Sequence, residues 1–263
     1  MACIDVEPGV KVFAQIEGEG KPIVLIHGWY LNHDMWKFQI PHLTAHGYQA
    51  IAIDLRGFGQ SSKPQTGYDY KTWANDIEKV ITALDLQHVT LAGYSIGGAI
   101  SMYYLSTRTD PRIEKLALVA AAGPCVTIRQ DNPRGLPSQF FDEAISLINL
   151  GQYTDAFQLF QNITFPTASP PMIQWIEDMF RSASQQALIG GLTEMRDQNL
   201  KMDLLKIGIK TRIFHGFWDL FVSNALANEQ ASLITGSIRR WFWTSGHGLF
   251  FEEADKLCRE LDW

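Results

Sequence analysis

A serine stands at the centre of the glycine-flanked pentapeptide Gly-Tyr-Ser-Ile-Gly at residues 93–97. The β-type run 89–92 precedes it and the apolar helical run 96–105 follows it, so the sequence predicts a strand, a sharp turn and a helix. A serine hydroxyl is a useful nucleophile only when it is accessible and has a base beside it. The G-x-S-x-G pattern is typical of a strained turn that presents such a serine. A glycine-rich turn with an incidental serine would look the same, so the rest of the chain must decide.

A serine nucleophile needs a general base, and the base needs an acid that orients it. His247 follows the last predicted strand, and Asp219 comes four residues after the predicted strand that ends at His215. In doubly wound sheets, functional groups gather where the parallel strands end. Ser95, Asp219 and His247 also occur in the chain order typical of a triad built on a G-x-S-x-G turn. We therefore predict that Ser95 is the nucleophile, His247 the base and Asp219 the orienting acid.

Other histidines and acids are candidates for the same roles. His27 and His215 follow strands, but each precedes a glycine at a tight turn, and we interpret both as structural. Glu252 and Glu253 are the second choice for the acid beside His247, although they should belong to the next helix. The remaining histidines fall in helical or surface segments and are expected to be solvated: His33, His42, His46 and His88.

Acyl transfer also requires donors for the oxygen that becomes negative in the transition state. One donor should be the backbone N–H of Ile96, at the start of the helix behind the serine. The second should be the N–H of Trp29, in the loop after the strand that ends at Ile26. The indole of Trp29 can also form an apolar wall, and the two roles are compatible because the oxyanion hole uses only the backbone.

Aromatic residues are frequent in the region after residue 123 and in the loops expected to carry the triad. Many aromatic side chains around one pocket would favour a small acyl or aryl group. The residues that we predict for the substrate pocket are Tyr30, Phe140, Trp218, Phe221 and Leu249.

The run Asp-Leu-Arg-Gly-Phe-Gly-Gln-Ser at residues 54–61 also follows a predicted strand. It lacks the Lys-Ser/Thr pair of a phosphate-binding loop and the third glycine of a dinucleotide-binding motif. We interpret it as a structural turn in which Asp54 and Arg56 hold neighbouring loops together.

Apolar strand-like runs alternate with helical segments over residues 22–121 and again near the end of the chain. Such alternation predicts an α/β fold with a mostly parallel, doubly wound sheet. Between these regions, no strand-like run occurs and prolines separate aromatic-rich helical stretches. We therefore predict a core formed by residues 1–122 and 204–263, with a helical cap inserted at 123–203.

Composition narrows the class of protein. The chain has 263 residues, a net charge of −6 and no cluster of basic residues, so neither nucleic acid nor an anionic membrane is an expected partner. No signal-peptide pattern and no membrane-length apolar run occur. The three widely spaced cysteines fit reduced thiols, so we expect a cytoplasmic protein. No C-x-x-C or H-E-x-x-H spacing is present, and we expect neither a metal nor a cofactor.

Several segments together resemble the α/β-hydrolase family, especially its cofactor-free bacterial arylesterase and non-haem haloperoxidase (perhydrolase) branch. The resemblance covers about residues 9–258 and rests on residues 27–29, 34–36, 54–61, 93–98, 215–219 and 247–248. It implies an esterase that acts on small acyl or aryl esters through Ser95, His247 and Asp219, and that forms homo-oligomers.

The same resemblance implies a perhydrolase side activity, in which peracetic acid made from acetate and hydrogen peroxide oxidises halide. Ile96 stands where that branch usually has methionine, and Tyr30 where it has leucine or proline. Both residues should border the nucleophile, so they bear on whether water or peroxide is the better partner for an acyl-enzyme.

Other functions remain open at this point. The same triad serves C–C bond hydrolases, lactonases and aminopeptidases. A ligand receptor of the same fold that turns over slowly is a further alternative, although such receptors tend to lack the second glycine after the serine, here Gly98. A dehalogenase or an epoxide hydrolase would carry aspartate in place of Ser95.

Overall fold

One sheet of eight strands organises the chain, for which a computed structural model describes residues 1–263. The strands are β1 (Ala2–Glu7), β2 (Val10–Glu17), β3 (Lys21–Ile26), β4 (Tyr48–Ile53), β5 (Val89–Tyr94), β6 (Ile113–Val119), β7 (Lys210–Gly216) and β8 (Ile238–Phe242). They lie in the order β1-β2-β4-β3-β5-β6-β7-β8. The pairs β1–β2 and β2–β4 are antiparallel and all others are parallel. The predicted α/β fold with a mostly parallel sheet is confirmed.

Helices follow most of the strands. They are α1 (Ile40–Ala45), α2 (Tyr70–Ala83), α3 (Ile96–Thr107), α4 (Ser138–Asn149), α5 (Tyr153–Thr164), α6 (Pro170–Ser182), α7 (Gln185–Asp197), α8 (Lys201–Leu204), α9 (Asn224–Leu233), α10 (Leu249–Glu252) and α11 (Ala254–Leu261), with a 3-10 helix at His33–Phe38. Asp69 caps α2 by accepting a hydrogen bond from the Thr72 N–H at 2.7 Å. None of the helices is long and apolar enough to cross a membrane.

The central strand β5 determines where the loops of the sheet meet. All six of its residues are buried, which is typical of a strand covered on both faces. Its parallel pairing aligns Gly93 with Ile26 of β3 on one side and with Leu118 of β6 on the other. The carboxyl ends of these three strands therefore share one edge of the sheet, and the loops that follow them converge there.

Five helices, α4 to α8, lie between β6 and β7. They contact the loop after β3: the indole N–H of Trp29 donates to the backbone carbonyl of Leu188 at 2.9 Å, and the Trp29 ring lies 4.4 Å from that of Phe160. These helices fall within the segment predicted as a cap, residues 123–203, except that α8 extends to Leu204. The division of the chain into a cap and two core parts stays a prediction.

The loop after β4 is fixed by buried charged groups. Asp54 accepts hydrogen bonds from the backbone N–H groups of His33 and Gln60, both at 2.7 Å. Arg56 makes two 2.6 Å bonds to the buried carboxylate of Asp76 and one of 2.8 Å to Glu7. These contacts agree with the interpretation of residues 54–61 as a structural turn.

One expectation for this region is wrong. His33 was expected to be solvated, but it is buried, and its Nδ1 lies 2.8 Å from the Asp54 carboxylate. Burial alone would lower the pKa of His33, but the carboxylate of Asp54 outweighs it and the pKa is raised. A carboxylate 21 residues away in the chain thus stabilises the histidine in the interior, and no local pattern marks that partner.

Candidate active site

Ser95 lies at the turn between β5 and α3 with φ of 52° and ψ of −118°. For a residue other than glycine, such a backbone costs on the order of 1–3 kcal/mol unless its surroundings hold it. Close packing explains the flanking glycines: a Cβ on Gly93 would lie 2.3 Å from the Gly97 oxygen, and one on Gly97 would lie 2.6 Å from the Ile26 oxygen. The predicted strained turn is therefore present, with no room for side chains on either side of Ser95.

Hydrogen bonds hold the backbone of Ser95 in this conformation. Its N–H donates to the Val119 carbonyl of β6 at 3.0 Å. Its carbonyl accepts from the N–H groups of Gly98 at 3.0 Å and Ala122 at 2.9 Å. Both the following helix and the neighbouring strand thus offset the strain, so the hydroxyl occupies a defined position.

The structure brings Ser95, His247 and Asp219 together although they are distant in the chain. His247 Nε2 lies 3.0 Å from Ser95 Oγ, and His247 Nδ1 lies 2.8 Å from Asp219 Oδ2. All three residues are buried. A carboxylate can only accept hydrogen bonds, so Nδ1 carries a proton, and in the neutral ring Nε2 is then the acceptor for the serine hydroxyl. This is the protonation state in which an imidazole can remove a proton from serine.

His247 and backbone N–H groups together keep Asp219 ionised. Its Oδ1 accepts from the N–H groups of Phe221 at 2.9 Å and Val222 at 2.8 Å. Burial by itself would raise the pKa of Asp219, but His247, His215 and the Val222 N–H outweigh burial and lower the pKa. The acid therefore remains a carboxylate at neutral pH, which favours the orientation of His247 described above.

Three further contacts position the loop of His247. The hydroxyl of Tyr94, the residue before the serine, donates to the His247 carbonyl at 2.9 Å. Glu252 accepts from the Gly246 N–H at 2.7 Å, and Glu253 accepts from the Ser245 hydroxyl at 2.6 Å. The two glutamates thus contact the histidine loop rather than the imidazole, which agrees with their being only the second choice as acids. No pattern in the sequence indicates that these glutamates hold this loop.

His27 and His215 form structural contacts. The Leu55 N–H donates to His27 Nε2 at 3.0 Å, so the neutral ring carries its proton on Nδ1 and donates it to the Gly28 carbonyl at 2.7 Å. Burial lowers the pKa of His27 to about 4. His215 Nε2 lies 2.9 Å from the Val222 carbonyl, and burial lowers the pKa of His215 as well. Both rings are neutral. His27 holds the loop after β4, and His215 holds the loop that carries Asp219.

Both expected oxyanion donors lie in segments next to Ser95. Ile96 is the first residue of α3, where backbone N–H groups have no partner within the helix. The N–H of Trp29 makes no hydrogen bond to another protein group. The loop that carries it passes close to the nucleophile, since a Cβ on Gly28 would lie 3.2 Å from Ser95 Cβ. This arrangement is compatible with an oxyanion hole formed by Trp29 and Ile96.

A small cavity opens beside Ser95. Its free volume is about 10 Å³, close to the space that one water molecule requires. The cavity is mostly apolar, and its lining residues are Trp29, Tyr30, Leu31, Tyr94, Ser95, Phe160, Thr164, Phe165, Met195, Phe221 and His247. Of the predicted pocket residues, Tyr30 and Phe221 are among them.

Three predicted pocket residues do not line this cavity. Trp218 is 64% exposed, because its indole N–H turns outward to the Trp243 carbonyl at 3.0 Å. Phe140 packs behind Phe160, with ring centroids 4.7 Å apart. Leu249 is fully buried, as expected for the first residue of α10 under the histidine loop, and does not reach the cavity. For these positions the pocket prediction is corrected.

One polar pair stands in the apolar lining. The Thr164 hydroxyl donates to the Phe160 carbonyl at 2.9 Å, so the Tyr30 hydroxyl, 3.1 Å away, donates to the threonine oxygen. Tyr30 has a φ of 55°, which turns its backbone sharply next to Trp29. Burial raises the pKa of Tyr30, so it stays protonated. The pair ties α5 to the loop that carries the expected oxyanion donor.

Comparisons with known proteins agree on the family. A family model described as "alpha/beta hydrolase fold" matches residues 21–253. The AB hydrolase superfamily protein YisY of Bacillus subtilis is 36% identical over 97% of this chain and 95% of its own. The non-heme chloroperoxidase CPO-A1 of Kitasatospora aureofaciens is 31% identical over 94% of this chain and 92% of its own.

Among solved structures, the esterase EaEST of Exiguobacterium antarcticum superimposes with a TM-score of 0.95. It is 35% identical, and the match covers 99% of this chain and 97% of the esterase. The sequence-based resemblance to the α/β hydrolases and to their esterase and haloperoxidase members is thereby confirmed.

Proposed function

Since the chain belongs to the α/β-hydrolase family and is a hydrolase, we propose that it cleaves small carboxylic esters through a serine nucleophile. The observation that carries the proposal is the position of His247, with Nε2 3.0 Å from Ser95 Oγ and Nδ1 2.8 Å from Asp219 Oδ2. A buried base between a nucleophile and an ionised acid is the arrangement that acyl transfer requires.

The first half of the reaction forms an acyl-enzyme. Ser95 Oγ attacks the ester carbonyl carbon while His247 Nε2 takes the hydroxyl proton. The resulting oxyanion accepts hydrogen bonds from the N–H groups of Trp29 and Ile96. Asp219 stabilises the imidazolium, which then gives its proton to the departing alcohol or phenol.

The second half releases the acid. Water takes the place of the leaving group, His247 removes one of its protons, and the hydroxide so formed attacks the acyl carbon. Collapse of the second tetrahedral intermediate frees the carboxylic acid and returns the proton to Ser95. The narrow apolar cavity supports a substrate with a short acyl chain, because little free space exists beside Ser95.

The test compares the wild type with Ser95→Ala on p-nitrophenyl acetate. We expect the variant to lose at least about a thousand-fold in kcat, because the base then has no hydroxyl to activate. Ser232→Ala is the matched control, since this exposed serine bonds only the Glu229 carbonyl, and it should keep wild-type activity. Equal rates for Ser95→Ala and the wild type would refute the mechanism.

A perhydrolase side activity is a second candidate, favoured by the similarity to a protein named a non-heme chloroperoxidase. Hydrogen peroxide in place of water would attack the acyl-enzyme and release a peracid, which oxidises bromide to hypobromous acid and returns to the carboxylic acid. Bromination of monochlorodimedone in acetate, peroxide and bromide measures this reaction. If Ser95→Ala brominates monochlorodimedone at the wild-type rate, the bromination does not proceed through an acyl-enzyme on Ser95.

The substrate class within the family is tested with a panel. Esters of increasing acyl length, lactones, peptide amides and vinylogous diketones separate an esterase from a lactonase, an aminopeptidase and a C–C bond hydrolase. We expect acetate and propionate esters to have the highest kcat/KM. Turnover far below one per minute on every ester, with tight binding of one ligand, would favour a receptor instead.

A further inference from the structure

Two histidines and an aspartate form a cluster where α1 meets the end of the chain. His42 lies in α1, His46 follows that helix, and Asp262 follows α11. One potential ligand atom from each residue lies within 4.8 Å of the others. The imidazole rings of His42 and His46 stack with centroids 4.0 Å apart and an interplanar angle of 22°. The esterase mechanism uses none of these three residues.

The hydrogen bonds of the cluster leave one ring nitrogen of each histidine without a protein partner. His46 Nδ1 lies 2.7 Å from the His42 carbonyl, so Nδ1–H donates and the neutral ring keeps its lone pair on Nε2. Metal-binding histidines characteristically use their second nitrogen in this way. His42 Nε2 is shielded from solvent and has no hydrogen-bond partner. An unpartnered nitrogen is costly, and a coordinate bond would supply the missing partner.

The charges around the cluster also favour a cation. Asp262 and Asp255 lie close enough to His42 to act on it electrostatically, and so does the cation Arg259. Asp262 adds a negative charge at the same place, and among the charges that act on His42 two carboxylates stand against the one guanidinium of Arg259.

We propose that His42, His46 and Asp262 bind one divalent transition-metal ion of the zinc type. Two imidazoles and a carboxylate suit such an ion, whereas magnesium and calcium prefer sites made only of oxygen ligands. Coordination at the usual ~2.0–2.2 Å requires the three donor atoms to move closer together by about 1–2 Å. Rotation of the exposed His46 and Asp262 side chains allows this, and it must also tilt the stacked rings until the lone pairs of both imidazoles point to one ion.

The ion would join α1 to the segment that follows α11. Because the three ligands meet only in the folded chain, binding stabilises the native state. At a free metal concentration about a hundred times the dissociation constant, the thermal midpoint should rise by about 5 °C for a chain of this length.

The experiment uses the full chain after treatment with a chelator, in a buffer that does not bind metal. Calorimetric titration with zinc chloride should give one ion per chain, and the thermal midpoint should rise. His42→Ala and His46→Ala should each weaken zinc binding by more than about tenfold. His88→Ala is the matched control, because this exposed histidine lies 2.5 Å from Glu114 and belongs to no such cluster, and it should leave binding unchanged.

Three results would overturn the proposal. The first is zinc that produces neither a heat of binding nor a shift of the midpoint. The second is binding of equal strength in His42→Ala and the wild type. The third is binding that disappears in His247→Ala and survives in His42→Ala, since the zinc would then occupy the proposed catalytic residues. Magnesium chloride should have no effect at the same concentrations.

Discussion

Replacing Asp219 with asparagine changes one atom of the site and leaves its shape intact. The amide oxygen can still accept from the N–H groups of Phe221 and Val222, now at 2.9 and 2.8 Å from Oδ1. The NH₂ group then occupies the place of Oδ2, 2.8 Å from His247 Nδ1. Two donors cannot face each other at this distance, so His247 must switch to the tautomer with its proton on Nε2.

The wrong tautomer disables the base. With a proton on Nε2, His247 can no longer accept the hydroxyl proton of Ser95 across their 3.0 Å contact. In another serine hydrolase, the same exchange lowers kcat by about 10⁴. A loss of that size corresponds to about 5 kcal/mol in the activation free energy. Stability should change little, because both backbone N–H groups keep an acceptor.

The assay is kcat/KM for p-nitrophenyl acetate, together with urea unfolding of each variant. Glu252→Gln is the matched control: Glu252 accepts from Gly246 and Thr167 without touching the imidazole, so this variant should lose far less activity. If Asp219→Asn keeps more than a tenth of the wild-type kcat/KM, the assignment of Asp219 as the orienting acid is refuted. An equal loss in Glu252→Gln would also refute this assignment and would make Glu252 the better candidate.

Three further predictions concern stability, measured by urea unfolding. The pKa of His27 is about 4 in the folded chain and about 6.5 in the unfolded chain, so the free energy of unfolding should fall by about 3 kcal/mol as pH drops from 6.5 to 4. His27→Gln should make the free energy of unfolding depend less on pH. The same pH dependence in His27→Gln and the wild type would contradict this prediction. Arg56→Ala should lower the free energy of unfolding by about 3–5 kcal/mol, because Asp76 is then buried and unpaired. A loss below about 1 kcal/mol, as for an exposed ion pair, would contradict the view that Arg56 and Asp76 form a buried pair. Thr164→Val leaves the Tyr30 hydroxyl without a partner and should lower the free energy of unfolding by about 1–3 kcal/mol, which is more than Tyr30→Phe should lower it. A larger loss in Tyr30→Phe than in Thr164→Val would refute the assignment of the Tyr30 hydroxyl as the donor.

The sheet and the proposed catalytic residues could be predicted because strand ends are visible in the sequence. Apolar runs locate the strands, parallel strands end at a shared edge, and residues just after them must converge there. Ser95, Asp219 and His247 each follow a strand closely, so local patterns sufficed. The strand rule does not depend on how the helices between β6 and β7 are arranged.

The cavity lining could not be predicted in this way. Thr164 ends α5 and Met195 lies in α7, and both reach the cavity only through the packing of these helices. Trp218 adjoins Asp219, yet a turn directs its side chain to Trp243 and into solvent. Side-chain direction in a loop depends on distant hydrogen-bond partners, and a single sequence does not reveal those partners.

The central claim is that Ser95 forms a covalent bond to the acyl group. Incubation with a fluorophosphonate, followed by intact-mass measurement and peptide mapping, tests this directly. We predict one adduct per chain, located on Ser95, with esterase activity lost in proportion to labelling and with no adduct in Ser95→Ala. Full activity without any adduct, or an adduct on another residue that accompanies the loss of activity, would contradict the account.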